Sequence, residues 1–508
     1  MNRAIRSDRW LPWVTLGAFT LFWVLRWPSL PLLLDHPYHL FVAREFVDAG
    51  GPITYEPWEY APVGRPHLYP PVVHLLLAGF LQSGCSPVAA IRLMSVAMVP
   101  ALLLSIFLVV RRLLTPRLGL ISLWIGMLPF AFHLQSTMAL AATLASIDLL
   151  WLMEAISRRR LVAAGSLLGL LWYVHLGVPW MSLVMLSVYG LMTPSARPVL
   201  ARALWGLFLA TPWLAHLWHG RAYLHVVSRH ENAMIEIMPL LYAAACLGAW
   251  RCWRLKERYH WLLACWLGFA LLAARHPYRW LSGEGMLPVI LLAAVGVEWC
   301  VDTGSRLVPE SPRNTIAAMA IGMCFLISPT AMNTPKGLRW AWSDSGPFHL
   351  LRIVGEQSRV GYAEGFQPYL QQLATSVAAH SKPDEILWSN APNALGLVAA
   401  LAHRATSSAM LDEVPPSRRI NPIAAAHLIV WFKFEPIQGA MPTAQLARYP
   451  LTKVAEDDVA ILYRQSGVTQ TARPPRRVMP GWVAWVLLST AVAAIAWDLS
   501  RHDARMPV

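Results

Sequence analysis

The sequence predicts a mainly α protein: a polytopic bundle of about 11–13 transmembrane helices with a small α/β domain outside the membrane. Three observations carry this. Of 508 residues, 56% are hydrophobic and 14% charged, and the mean hydropathy is +0.44, too apolar for a soluble chain of this size. Apolar runs near the length of a span, roughly 20 residues, recur between short basic loops. One long stretch, 333–479, interrupts the series with mixed polar sequence.

In chain order the candidate spans are 11–31, 87–110, 118–135, 137–156, 161–176, 178–192, 202–218, 238–253, 259–274, 286–301, 315–332 and 480–499. The basic start "MNRAIRSDRW" precedes the first of them, and "WPSLPLLLDHP" is a poor cleavage site. A retained first span is expected rather than a removed signal. If the N-terminus is cytoplasmic, the loops "RRLLTPR", "SRRR", "TPSARPVLAR", "RCWRLKER", "SRLVPESPRN" and the tail "SRHDAR" all fall inside, and all six are basic, as the positive-inside bias requires. That pattern needs "YPPVVHLLLAGFLQSG" to lie in the interface or re-enter instead of crossing. A bacterial cytoplasmic (inner) membrane location is expected. The net charge of +14 then reflects loops that set orientation and meet anionic membrane lipids, and no nucleic acid partner is predicted. The six cysteines lie in or beside apolar segments without metal-ligand spacing, so neither a disulfide framework nor a zinc site is expected.

Three regions follow. Residues 1–332 form the transmembrane core, with a long first external loop at 32–86; 333–479 form an extracytoplasmic α/β domain; 480–508 form the last span and a cytoplasmic tail. In the domain "DEILWSN", "HLIVWFKF" and "DVAILYR" read as strands, and "PYLQQLATSVAAHS" and "NALGLVAALAHR" as helices. "TARPPRRVMPG" reads as a linker into the last span. No phosphate-cradling glycine loop or nucleophile elbow is present.

The chemistry gathers on one side. At the outer end of the first span Asp35 precedes "YHLFVAREFVDA", a short helix with Tyr38, Val42, Phe46 and Ala49 on one face and Gly50-Gly51 ending it. Asp35 either caps this helix only, or also acts beside His36 and His39 as a general base or metal ligand. Aromatic belts account for part of the external Trp and His, but not for Asp35, Arg229, Glu231 and Arg279. Asp148, inside the fourth span, calls for either a structural partner or a place on a substrate or proton path. His74 and His175 are candidates to line a cavity.

An acid at the outer end of the first span, a "YPP" element in a long first loop, the loop "HPYRWLSGEGMLPVILLAAVGV" running into a small-residue span, "AAGSLLGLLWYVHLGVPW" and a C-terminal external domain resemble the membrane-integral GT-C glycosyltransferases. That superfamily includes oligosaccharyltransferase catalytic subunits and dolichyl-phosphate-mannose transferases. The resemblance implies a polyprenyl-phosphate-linked sugar as donor and a glycan, lipid or protein as acceptor. It implies Asp35 as base or metal ligand, helped by His39. Substrate contacts would come from His36, Tyr38, Tyr69, His74 and His175, and the phosphate would meet Arg229, His230, His276 and Arg279, since guanidinium offers phosphate a planar fork. Metal-dependent members carry further acids in later external loops, whereas "HLQST" has none. No cofactor is certain; a divalent cation such as Mg or Mn would have to use Asp35, Glu231 or Glu284. The other readings are a lipid or solute transporter or flippase with Asp148 on its path, and a non-catalytic envelope relative of the GT-C enzymes. Transporters usually show two related halves, and no convincing halves are visible here.

Overall fold

The computed structural model describes residues 4–26, 32, 35–129, 132–133, 136–137, 140–223, 236–255, 257–273, 284–307, 329–334, 337–342, 366–408, 421–433 and 446–501. Helix α1 is Ala4–Arg26, and α2, Asp35–Ala49, carries the start of the first loop. Strands β1, Tyr55–Glu56, and β2, Arg65–Pro66, make a small hairpin before α3, Val72–Gln82. The bundle continues with α4 (Pro87–Leu113), α5 (Pro116–Gly126), α6 (Leu140–Ser157), α7 (Leu161–Val174), α8 (Val178–Met192), α9 (Arg197–Ala203) and α10 (Gly206–Gly220). After β3 (Glu236–Ile237) come α11 (Pro239–Arg254), α12 (His260–Ala273) and α13 (Met286–Leu307).

Among the described residues four helices are long and apolar enough to cross a membrane: Pro87–Leu113, Leu140–Ser157, Met286–Thr303 and Gly481–Ser500. A fifth exists if Val178–Met192 and Pro194–Ala203, which meet at 119°, are one broken span. Helix α3, within the segment expected to lie in the interface or re-enter, has 11 residues, about half a span. The span expected over 315–332 needs correction at its end: Pro329–Thr334 is strand β4, paired with β5, Gly337–Trp342, and with β3. Two prolines in "PTAMNTP" disfavour a helix end there, and the ladder satisfies the backbone instead.

Hydrogen bonds gather the basic loops at one end of the bundle. Arg158 Nη2 donates to Arg112 O at 3.1 Å, and Arg160 and Arg158 pair with the buried Glu154 at 3.2 Å. Arg117 reaches Asp302 at 2.7 Å, Ser195 reaches Glu257 at 2.9 Å, and Ala163 N donates to Asp498 at 2.8 Å. Loops that alternate with spans must meet at one end, so the pairing agrees with the up-and-down order read from charge.

In the bundle α11 and α13 touch backbone to backbone. A Cβ at Gly248 would lie 1.8 Å from Leu292 O, and one at Gly296 would lie 2.1 Å from Ala244 O. Small residues permit such approaches between membrane helices. Gly248→Ala is expected to cost about 1–3 kcal/mol through overpacking, seen as a lowered melting temperature in detergent; an unchanged midpoint would refute the close contact.

The domain is built from α14 (Phe366–Ala379), β6 (Ile386–Ser389), α15 (Pro392–Ala402), β7 (Ala405–Thr406), β8 (Leu428–Phe432), β9 (Leu451–Glu456) and β10 (Ala460–Gln465). Its sheet has the order β7-β6-β8-β10-β9, parallel from β7 to β8 and antiparallel beyond. The apolar runs "ILWS" and "LIVWF" are the central strands, as expected for a sheet covered on both faces. The final helix α16, Gly481–Arg501, returns to the bundle.

Helix α2 joins the two layers. Its face of Tyr38, Val42 and Phe46 packs with Leu75 of α3 and Ala484 of α16, as its spacing predicts. The opposite face is buried as well: Leu40, Phe41 and Ala43 share a cluster with Leu395 and Val398 of α15. A helix expected to be half wet is therefore enclosed, because the domain sits on it. The domain also grips the loop itself, with Thr406 N donating to Trp58 O at 2.7 Å and Ala61 N to Thr406 O at 2.9 Å. Gly50, at φ +72°, ends α2. Its N–H donates to Val47 O at 3.0 Å and that of Gly51 to Phe46 O at 2.8 Å, a Schellman closure.

Candidate active site

Asp35 is the first residue of α2, inside the first turn and half-buried. Negative charge there is favoured by the helix dipole, so the capping expectation and a chemical role are compatible. His39 follows one turn later on the same face and is fully buried. Its Nδ1 meets His74 Nε2 of α3 at 3.0 Å. One ring donates and the other accepts, so a neutral pair always shows one bare nitrogen and one N–H at its outer ends. Those ends, His39 Nε2 and His74 Nδ1, have no hydrogen-bond partner among the described residues.

Beside this pair lies a second group that sequence reasoning passed over. Register in the β1–β2 hairpin sets Glu56 opposite Arg65, and directly opposed residues share a face. Arg65 Nε donates to Glu56 at 3.0 Å, and its Nη2 forms an ion pair with Glu59 at 2.6 Å. Tyr38 Oη donates to Glu56 at 3.0 Å, and His67 Nδ1 bonds the same carboxylate. Glu56, Glu59 and His67 are 0% exposed and Arg65 2%. The pattern E-x-x-E…R-x-H in "YEPWEYAPVGRPH" was the available signal, but which acid meets the arginine depends on the turn between them.

Burial pushes the Glu56 carboxyl up, but the Arg65 guanidinium and the His67 ring outweigh it and hold the group at about 2. Glu45, on α2, goes the other way: burial and then the Glu56 charge raise it well above the usual range, against a hydrogen bond from Trp58 N. Burial lowers His39 to about 3, and like-charge repulsion with His36, His175 and His67 further opposes its protonation. His74 is lowered by burial and by His39, His67 and Arg65. His36, His39 and His74 are thus neutral imidazoles beside the Glu56–Arg65 ion pair.

The other predicted residues divide into three sets. Tyr69 packs edge-on to Tyr38 and His39, with ring centroids 5.5 and 5.1 Å apart, so it joins the cluster. His175 does too: its Nδ1 accepts from Gly177 N and Val178 N, both at 3.0 Å, which leaves Nε2 to carry the proton of the neutral ring. That nitrogen faces Glu284 Oε1 at 3.8 Å. His36 is an anchor, its Nε2 lying 2.7 Å from Thr137 O and 3.1 Å from Ser95 Oγ. Burial lowers it to about 4, against the hydrogen bond to Thr137. Arg229, His230, Glu231, His276 and Arg279 lie outside the described residues. Asp148 is 6% exposed on α6, and neither carboxylate oxygen has a hydrogen-bond partner among the described residues.

No three His, Cys, Asp or Glu side chains converge as a metal-binding group among the described residues. Glu284 lies 3.8 Å from His175, and no third donor joins that pair among the described residues, so the described donors do not make a cation cradle.

A kinked membrane bundle, a first loop folded over its mouth and an α/β domain seated on that loop define a GT-C-like fold. Among solved structures the chain is similar to ArnT from Cupriavidus metallidurans bound to undecaprenyl phosphate, with TM-score 0.56 and 13% identity, covering 89% of this chain and 97% of that one. It is also similar to the oligosaccharyltransferase AglB from Archaeoglobus fulgidus in complex with an inhibitory peptide and a dolichol-phosphate, with TM-score 0.55 and 11% identity over 84% of this chain and 69% of that one. At such identities the likeness is one of fold. No family model and no curated protein matches the sequence.

Proposed function

We propose that the protein is a membrane glycosyltransferase that moves a sugar from a polyprenyl-phosphate-linked donor to a glycan, lipid or protein acceptor on the domain side of a bacterial inner membrane. The N-terminus would be cytoplasmic. The observation that carries the reading is the placement of Asp35 and His39, one turn apart, where the bundle, the first loop and the domain meet. Solved neighbours with the same fold hold undecaprenyl phosphate and dolichol-phosphate, which supports a lipid phosphate as the leaving group.

In this reaction an acceptor hydroxyl or amide attacks the anomeric carbon from the face opposite the phosphate. The bond from that carbon to the phosphate oxygen breaks, the polyprenyl phosphate leaves, and the configuration inverts. Asp35 takes the acceptor proton, and the neutral His39–His74 pair orients the attacking group. Arg229, His230, His276 and Arg279 are proposed to meet the leaving phosphate. Arg65 is not among them, because its guanidinium is committed to Glu56 and Glu59.

Purified protein is to be incubated with radiolabelled polyprenyl-phosphate sugar in liposomes. Transfer or hydrolysis of the label is expected, with equal rates in EDTA and in Mg or Mn. Restoration by a cation after EDTA would bring a metal to Asp35. Translocation of intact donor without bond cleavage would replace this reading with a flippase, for which the motivating feature is the buried Asp148 carboxyl, without a hydrogen-bond partner among the described residues.

A further inference from the structure

The "TARPPRRVMPG" stretch is more than a linker. Backbone bonds strap it to the first loop: Val478 N donates to Pro52 O at 2.8 Å, Gly481 N to Gly50 O at 2.9 Å, and Arg477 forms a bridge with Ile53. The approach is so close that a Cβ on Gly51 would lie 2.2 Å from Met479 O. Immediately afterwards comes α16, whose Gly481–Ser500 stretch of 20 residues is long and apolar enough to cross a membrane and is only 11% buried against the protein over its apolar part. Trp482, 70% exposed, sits where aromatic residues mark the interface. With α16 as a span, the strap that precedes it falls at headgroup level.

Arg473, Arg476 and Arg477 are all exposed on this strap, and none makes an ion pair among the described residues. Asp48, at the adjoining end of α2, faces His403 at 3.6 Å instead. Three guanidiniums within five residues, without an ion-pair partner among the described residues, precede a membrane-length helix and present planar forks suited to phosphate.

We propose that the 473–477 strap is a docking surface for the phosphate headgroups of anionic phospholipid on the domain side of the membrane. The contact pins the strap, and through it residues 50–53, to the membrane plane. It is independent of whether the protein transfers sugar.

The test uses the full chain in neutral detergent, titrated with phosphatidylglycerol, phosphatidylcholine or polyprenyl phosphate, with bound lipid counted by native mass spectrometry. R473Q/R476Q, which leaves Arg477 beside Gly50 in place, is expected to bind phosphatidylglycerol about 25-fold more weakly, from about five-fold per arginine near an anionic surface. Phosphatidylcholine binding should not change, and 0.5 M salt, roughly three-fold above physiological strength, should weaken phosphatidylglycerol binding to the native chain. Wild-type affinity in R473Q/R476Q, or salt-independent binding, overturns the proposal. So does loss of polyprenyl phosphate alone, which would assign the arginines to a lipid carrier. If R473Q/R476Q melts early, the single R476Q and the salt series on the native chain carry the decision.

Discussion

Asp35→Asn is expected to lower sugar transfer by about 10²–10⁴-fold, the usual contribution of a positioned general base, while donor binding survives. Asparagine keeps the size and hydrogen bonding of the side chain, so α2 should still start at residue 35. Loss of the charge at the helix N-terminus would cost about 0.3–1 kcal/mol, too little to unfold a bundle of this size. The measurement is kcat with the labelled donor at matched membrane levels, beside donor affinity. Transfer within a few-fold of wild type would remove Asp35 from the chemistry, whatever the fate of the strap arginines. His39→Ala should give a smaller loss, because it takes away an orienting ring and leaves the proton acceptor.

Arg65→Ala is expected to destabilise the domain side by about 3–5 kcal/mol, because it strands the buried Glu56 charge. Arg65→Lys should recover only part, since an ammonium cannot reproduce the two-pronged contact at 3.0 and 2.6 Å. The same network makes the fold acid-sensitive. His36 and His39 titrate at about 4 and about 3 in the folded chain, and His74 is also lowered, against an ordinary 6.5. Below 6.5 the unfolded chain therefore binds protons that the folded one refuses, and stability falls as pH drops. Glu56, held at about 2 against an ordinary 4.5, adds a further loss from 4.5 downward. Glu45 is raised, so its contribution has the opposite sign and grows weaker as pH rises above 4.5. Three imidazoles against one carboxyl leave a net loss between pH 6.5 and 4.5, visible as a falling melting temperature by tryptophan fluorescence. A flat profile over that interval would mean that the imidazoles are not buried neutral.

The basic loops and the apolar face of α2 were legible because they follow from local rules. Basic loops alternate with apolar runs, which sorts the loops to two ends, and the spacing of Tyr38, Val42 and Phe46 defines one face of α2. The strands "ILWS" and "LIVWF" were readable for the same reason, as short apolar runs bounded by turn residues. The acid and base partners were harder. Glu56, Glu59, Arg65 and His67 stand in a proline-rich loop with no period, and only the hairpin register sets Glu56 across from Arg65. The strap was read as a loose linker because its bonds go to residues more than four hundred positions away.

By itself the sequence determined the membrane bundle, the separate α/β domain and the placing of Asp35 at the head of a short helix, since hydrophobic period and charge act within a few turns of chain. Only the tertiary structure decided that α2 is enclosed, that His39 meets His74 and that His175 turns its proton towards Glu284. Those outcomes depend on which distant surfaces pack together, and burial then sets which groups are charged.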